Sequence, residues 1–483
     1  MAFDLRELEP KRLWAHFDEL RKIPRCSGHE AKAGEYVISV AERNGWEWER
    51  DEVGNVVVRK PASPGHESAE TVVLQGHLDM VCEKNSDVQH DFSKDPIQVE
   101  RRGDWLMAKG TTLGSDNGVG VAAALAVLED KSLVHGPIEC LFTVDEETGL
   151  TGASHLRPGF LRGRKLINLD SEEEGVLFIG CAGGGDSEVT LPITRDPAFG
   201  GERIRVGVTG LRGGHSGIDI DKGRANAIRV VARLVYELQG SLPPRLVSLE
   251  GGNKRNAIPR EAEAVVAIPA GENGRAAETL RRSFEAIRFE FKAVETEMAL
   301  DVRQVEDPAN PMSAESHRRV LGLLLGFPHG VLAMSQEMPG LVETSNNLAV
   351  VRTLSDQVKI ALSSRSSIMS ALNATRDVIR ALAEMAGAEV VQGGGYPAWT
   401  PNLNSPLLRT VKSVYRDLFG KEAEVKAIHA GLETGIIGEK FPGMDMISMG
   451  PQIEHPHSPD ERVHIPSVER FWTFLTKVLE ALA

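Results

Sequence analysis

His77 and Asp79 stand two residues apart in the run TVVLQGHLDMVC at 71–82, with Leu78 between them. In extended chain, side chains at i and i+2 leave the same face, so an imidazole and a carboxylate would emerge together. Further acids follow at Asp116 in GTTLGSDNGVG, at Glu146 and Glu147 after IECLFTV, and at Asp170 after KLINL. A late loop, GPQIEHPHSPDERVHIP, offers His455, His457 and His464. Each feature alone is ordinary. A His-x-Asp pair is commonly a surface histidine beside an acid, and Asp116 suits a helix N-cap.

Together they make seven groups: His77, Asp79, Asp116, Glu146, Glu147, Asp170 and one histidine of the late loop. Five are acids, and they cannot all be ionised in one cleft without a compensating cation. Imidazoles and carboxylates without thiolates suit zinc, cobalt or manganese, and so many oxygens suit two ions better than one tetrahedral ion. One carboxylate must then bridge ions about 3.5–4 Å apart. Another must stay uncoordinated as a base. The adjacent pair Glu146–Glu147 can meet both needs, one side chain facing an ion and its neighbour facing the substrate.

Such groups meet only if the elements bearing them end at one place. The segments 71–74, 138–144 and 165–169 read as short apolar strands buried on both faces, each ending in an acid or a histidine. That pattern points to one site at the carboxyl edge of one α/β sheet. Around them, 8–23 and 30–44 read as helices, 46–59 as a hairpin, and a helix begins near Val119. Beyond the glycines at 183–185 the texture changes. The order strand (204–208), helix (224–238), strand (245–249), strand (263–268), helix (276–291), strand (298–302) is a split βαβ pattern. Segments 313–325, 347–353, 357–362, 367–385 and 389–391 largely repeat it, which suggests duplication by element order alone. From about Pro397 the first texture returns, with a helix at 407–419, a strand at 446–449 and a helix at 468–482. The expected fold is therefore an α/β domain (1–190 and 396–483) interrupted by an inserted α+β domain (191–395) of duplicated split βαβ type.

The totals fit. A chain of 483 residues, 41% hydrophobic and 26% charged, is long enough for two or more cores. Its net charge of −14 argues against nucleic acid or a membrane surface as partner. Four singly spaced cysteines, Cys26, Cys82, Cys140 and Cys181, argue against disulfides and thiolate zinc sites and for a reducing cytoplasm. The opening residues lack a signal peptide's apolar region, and no run is long enough to span a bilayer.

The ordered set GHLDMV, GSDNGVG, DEETG, NLDSEEEG and GPQIEHPHSPDE resembles the di-zinc metallopeptidase family of carnosinases, tripeptidase T and aminoacylases. PKRLW…IPRCSGHE, GGNKRNAIP and HAGLETG are most similar to its aminoacyl-histidine dipeptidase branch. The resemblance implies a zinc-peptidase-like catalytic α/β domain carrying an inserted lid, two divalent ions (zinc, with cobalt or manganese as substitutes), and hydrolysis of Xaa-His dipeptides. It implies His77 and Asp170 on one ion, Glu147 and His457 on the other, and Asp116 as bridge across a cis peptide to Asn117. Asp79 would fix the His77 tautomer and Glu146 would be the general base. In the lid, His215 would donate to the oxyanion, while Asn256 and Arg365 would grip substrate. The expected partner is a small peptide, and a homodimer is compatible with the long lid, His215 serving its own site or that of a partner. The rivals are an N-acyl amino acid deacylase or tripeptidase of the same family, and a metal-binding protein without catalysis.

Overall fold

The fold was obtained as a computed structural model, which describes residues 4–483. The chain divides into two compact units. The first gathers residues up to 181 with 399–427 and 432–483; the second gathers 182–398 with 428–431.

In the first unit eight strands lie in the order Glu47–Arg50, Val56–Lys60, Ile138–Thr143, Val72–His77, Lys165–Asn168, Asp445–Ser448, Val176–Cys181 and Glu424–Ile428. The central four, from Ile138–Thr143 to Asp445–Ser448, run parallel. The first two join antiparallel as the expected hairpin. Every residue of VVLQGH and IECLFT is buried, as a parallel sheet covered on both faces requires.

The helix Ser115–Glu129 is buried from Ser115 to Leu128, which is why its sequence is small and apolar all round. It starts four residues before the expected Val119, through a kink at Asp116 and Asn117 whose φ/ψ angles are not helical. A smaller sheet, in the order Ile453–Glu454, Arg462–His464, Trp105–Ala108 and Val99–Arg102, brackets the 455–461 loop.

The cysteine expectation is overturned in one respect. Cys26 and Cys82 form a disulfide, while Cys140 and Cys181 are free and buried. Cys26 bridges to Met80 as an isolated parallel pair, so the fold brings together two cysteines that lie 56 positions apart. Linear spacing does not register such an approach.

The second unit is built on an antiparallel sheet of ten strands. Its first half runs Ala299–Val305, Glu202–Thr209, Ala262–Ile268, Arg245–Gly251, which is the order 4-1-3-2 of a split βαβ unit. The other half runs Val342–Thr353, Gln357–Ser366, Gly183–Pro192, Glu389–Val391, the same order read from the opposite edge, and the short strands Gly330–Met334 and Gly395–Tyr396 make ten by pairing with Val342–Thr353 and Gly183–Pro192. The two halves join through their second strands at Gly251 and Val351.

The strand Gly183–Pro192 had no counterpart in the sequence reading, because its glycines look like a break. They allow close approach instead. A Cβ on Gly184 would lie 2.6 Å from Tyr396 Cζ, and one on Gly183 2.7 Å from the Ala398 nitrogen. Helices Ala227–Leu238 and Ala314–Gly326 contribute buried faces to one apolar core. Among the described residues no helix is long and apolar enough to cross a membrane.

Candidate metal centre

Strand Val72–His77 ends by delivering His77 at the carboxyl edge of the parallel sheet. The Nε2 of His77 lies 3.1 Å from Asp116 Oδ1 and 3.2 Å from Asp170 Oδ1. Across the cluster, His457 Nε2 lies 3.1 Å from Asp116 Oδ2 and 3.0 Å from Glu147 Oε2. The two oxygens of Asp116 thus face two different imidazoles. Among the described residues four sets of potential ligand atoms lie close enough to share an ion: His77–Asp116–Asp170, Asp116–Glu147–His457 and His77–Glu146–Glu147 in this cluster, and Glu30–Asp79–Asp145 beside it.

Each side chain is placed by a local device. Asp116 sits on the kinked helix start, ahead of a cis peptide to Asn117. Asn117 Nδ2 donates to the Leu169 carbonyl at 2.8 Å, beside Asp170. Asp145 takes a left-handed conformation (φ 52°) that turns the chain into the short helix Glu146–Gly149. Asp79 accepts from the N–H groups of Glu146 (3.0 Å) and Glu147 (3.1 Å) and from Ser27 Oγ (2.8 Å). Its Oδ1 is also 3.3 Å from His77 Nδ1, close enough to attract but off hydrogen-bond alignment.

His457 is itself left-handed (φ 60°) in the 455–461 loop and half exposed, the kind of strained backbone retained at functional sites. The other two histidines lie outside the cluster. His455 is exposed, and His464 packs against Trp105 with tilted rings 5.0 Å apart.

The electrostatics show a site short of positive charge. Burial pushes Asp170 up to about 7, with Asp116 and Glu147 adding to the rise and His77 opposing it. Burial also pushes Glu146 well above the carboxylate range, helped by Asp170, Glu433 and Glu147. Hydrogen bonds to Asp116 and Glu147 lift His457 to about 11. Burial would lower His77, but Asp170, Asp116 and Asp79 hold it well above its ordinary value. Burial would raise Asp79, yet His77, Ser27 and the Glu146 N–H keep it at about 2.

Asp170 Oδ1 and Glu147 Oε1 are buried without a hydrogen-bond partner. Divalent ions would take the place of the protons on the imidazoles and saturate those oxygens. His77 with Asp170 would hold one ion, Glu147 with His457 the other, and Asp116 both.

Three buried residues around the cluster escaped the sequence reading. Arg25 donates to the carbonyls of Leu78 (3.0 Å), Asp79 (2.8 Å) and Gly114 (2.5 Å). Glu433 accepts from Gln75 Nε2 (2.6 Å) and Thr143 Oγ1 (2.7 Å), tying together the strands that lead to His77 and Glu146. Glu461 accepts from the backbone ahead of Asp116. The only signal for the last two was their place in HAGLETG and HSPDE.

The second unit gathers its own polar group. His215 Nδ1 accepts from the N–H groups of Gly217 (3.2 Å) and Ile218 (3.1 Å), which leaves the proton on Nε2. Burial and the neighbouring Arg365 lower its basicity. Arg365 is buried and donates to Tyr396 Oη at 2.6 Å. His429, unforeseen from sequence, shares a hydrogen bond of 2.7 Å between its Nε2 and Ser345 Oγ, and burial with Arg365 drops it to about 4. The Asn256 side chain is exposed, and the residue's backbone carbonyl accepts from the Ser216 N–H at 2.8 Å.

A sequence model of Peptidase family M20/M25/M40 matches residues 73–481. The chain is 42% identical over 480 residues, 99% of both proteins, to the cytosol non-specific dipeptidase of Escherichia coli K12. It superposes on the crystal structure of aminoacylhistidine dipeptidase from Vibrio alginolyticus with a TM-score of 0.93 and 42% identity, covering 99% of this chain and 98% of that one. Aminopeptidase PepT from Bacillus cereus shares the fold, with a TM-score of 0.58 at 15% identity over 98% of this chain and 99% of that one.

Proposed function

This chain belongs to peptidase family M20/M25/M40, and from that membership and the geometry of the acid–histidine cluster we propose that it is a two-metal dipeptidase acting on Xaa-His dipeptides. The observation that carries this reading is Asp116, whose two oxygens each lie 3.1 Å from a different imidazole. A single-ion site has no use for that arrangement.

Two divalent ions held by these residues, zinc with cobalt or manganese as substitutes, would supply a Lewis acid for the peptide carbonyl and a water acidic enough to lose a proton near neutral pH. Glu146 is the general base. It stands beside the ligand Glu147, and its raised proton affinity suits a group that must take a proton from water and return it to the leaving amine. Asp79 orients His77 from one oxygen and the Glu146–Glu147 backbone from both. His215, with its proton on Nε2, is read as donor to the oxyanion. Arg365 is read as the partner of the substrate carboxylate, with Asn256 as a further substrate contact.

Unit 2 is read as the lid, inserted into a catalytic unit. The Vibrio relative's name supports histidine as the preferred second residue, and the Escherichia relative's name supports a broader range and a cytosolic location. A homodimer belongs to the same reading and is checked by light scattering.

The test is a side-by-side assay of β-alanyl-histidine, α-aminoacyl-histidines, dipeptides without histidine, tripeptides and acetyl amino acids, before chelation, after it, and after reloading. Dipeptide cleavage that chelation abolishes and metal restores is expected, fastest with carboxyl-terminal histidine. Cleavage of acetyl amino acids alone, or turnover that survives chelation, would overturn the reading.

A further inference from the structure

Glu461 is a buried carboxylate four residues beyond His457. No arginine or lysine forms an ion pair with it among the described residues, yet both oxygens are saturated. Oε2 accepts from the N–H groups of Leu113 (2.7 Å) and Gly114 (3.0 Å). Oε1 accepts from the Ser115 N–H (2.7 Å), the Ser115 hydroxyl (2.6 Å) and, at 3.3 Å, the Asp116 N–H.

Five donors from four consecutive residues converge on one side chain, and the last of those residues is the one whose carboxylate faces both imidazoles. Arg25 takes the same segment from its other polar side, donating to the Gly114 carbonyl as well as to those of Leu78 and Asp79. Glu461 is fixed in turn by its own N–H, which donates to the Ser458 carbonyl at 3.0 Å inside the His457 loop.

We propose that Glu461 is a positioning residue for the ion between Asp116 and His457: one carboxylate joins the segment carrying the bridge to the loop carrying the imidazole, and so presets both before metal arrives. The physical reason is pre-organisation. Asp116 and His457 are 341 positions apart, and without a joint between their segments an ion bound by both would have to order two loops. A site already ordered keeps that part of the binding free energy. An ionised acceptor serves better than a neutral one here, because hydrogen bonds to a charged acceptor are about twice as strong as neutral ones. The proposal rests on the two-ion reading of the site, and its test separates the two.

Metal-free wild type, Glu461→Gln and Glu461→Asp are titrated with cobalt(II), following visible absorption and, separately, thermal unfolding of the metal-free proteins. Wild type should take up two equivalents; one equivalent or none would refute the two-ion reading itself. With two equivalents in wild type, Glu461→Gln, which places an amide NH2 against backbone N–H groups, should bind the equivalent that would use Asp116 with His457 at least tenfold more weakly and the one that would use Asp116 with His77 and Asp170 only slightly more weakly. Its kcat should return toward wild type in excess metal with KM unchanged, and Glu461→Asp should lie between the two. Equal weakening of both equivalents, wild-type binding of both, or a loss of kcat that excess metal does not restore would each overturn the proposal. Should Glu461→Gln fail to fold, Ser115→Ala removes one of the five donors with the charge kept: a selective weakening of one equivalent by two- to threefold supports the proposal, and unchanged binding overturns it.

Discussion

Gly76 precedes His77 at the end of the buried strand, and its role is steric. It has no left-handed backbone to accommodate; a Cβ there would lie 2.2 Å from Asn117 Oδ1 and 3.6 Å from Val121 Cγ2. Gly76→Ala must displace Asn117, whose amide holds the Leu169 carbonyl beside Asp170. Overpacking of this kind costs about 1–3 kcal/mol, so a lower denaturant midpoint and weaker metal uptake are expected together. Glu146→Ala should behave differently. Metal content, measured by elemental analysis, should stay at the wild-type value while kcat falls by roughly 10²–10⁴, the usual contribution of a general base. A variant that keeps its turnover would remove Glu146 from that role.

At this scale much of the centre could be read from the chain. His77 and Asp79 follow from strand alternation, and the acids after 138–144 and 165–169 follow from where buried strands stop. Glu461 and Arg25 could not be read that way. Their partners are backbone amides and carbonyls far off in sequence, and a backbone group carries no letter.

The helix Ser115–Glu129 carries Asp116 at one end and is moored at the other. Glu129 pairs with His16 at 3.2 Å and Arg43 at 2.7 Å, on two different helices. The His16 hydrogen bond is the largest influence on Glu129; with Arg43 it outweighs burial and holds the carboxyl down at about 2. A carboxyl depressed in the folded state stabilises above its unfolded value, about 4.3, and that stabilisation disappears as pH falls toward the folded value. The thermal midpoint of the wild type should therefore fall more steeply between pH 4.5 and 2 than that of Glu129→Gln. Parallel curves would exclude the mooring.

The disulfide between Cys26 and Cys82 is a second mooring, flanked by Arg25 and Ser27, which both hold the residues around Asp79. Closing a chain segment of 56 positions is worth roughly 4 kcal/mol on a chain-entropy count. Reduction under native conditions should lower the unfolding midpoint, and Cys26→Ser with Cys82→Ser should match the reduced protein. The elements themselves were largely legible because periodicity reports burial. The strand Gly183–Pro192 was not, since glycines needed for contact with Tyr396 look the same on paper as glycines needed for a turn.

The two units are unequal in their dependence on the chain. The second takes its sheet from one continuous stretch, Gly183 to Tyr396. The first places Asp445–Ser448 between Lys165–Asn168 and Val176–Cys181, so its sheet has a gap until that strand arrives. A chain cut after residue 444 should lack a cooperative unfolding transition for the first unit and bind no metal, although it retains His77, Asp116, Glu147 and Asp170. Uptake of even one tight equivalent by that fragment would show the sheet to be self-sufficient without its inserted strand.

On the ribosome this ordering becomes a delay. At about 5–20 residues per second, the interval between emergence of Tyr396, the end of the second unit's sheet, and of Asp445 is roughly 2–10 s, time in which the interposed unit can fold first. Meanwhile the partial sheet of the first unit presents unsatisfied strand edges to solvent, and this is the period in which a holdase would have most to protect.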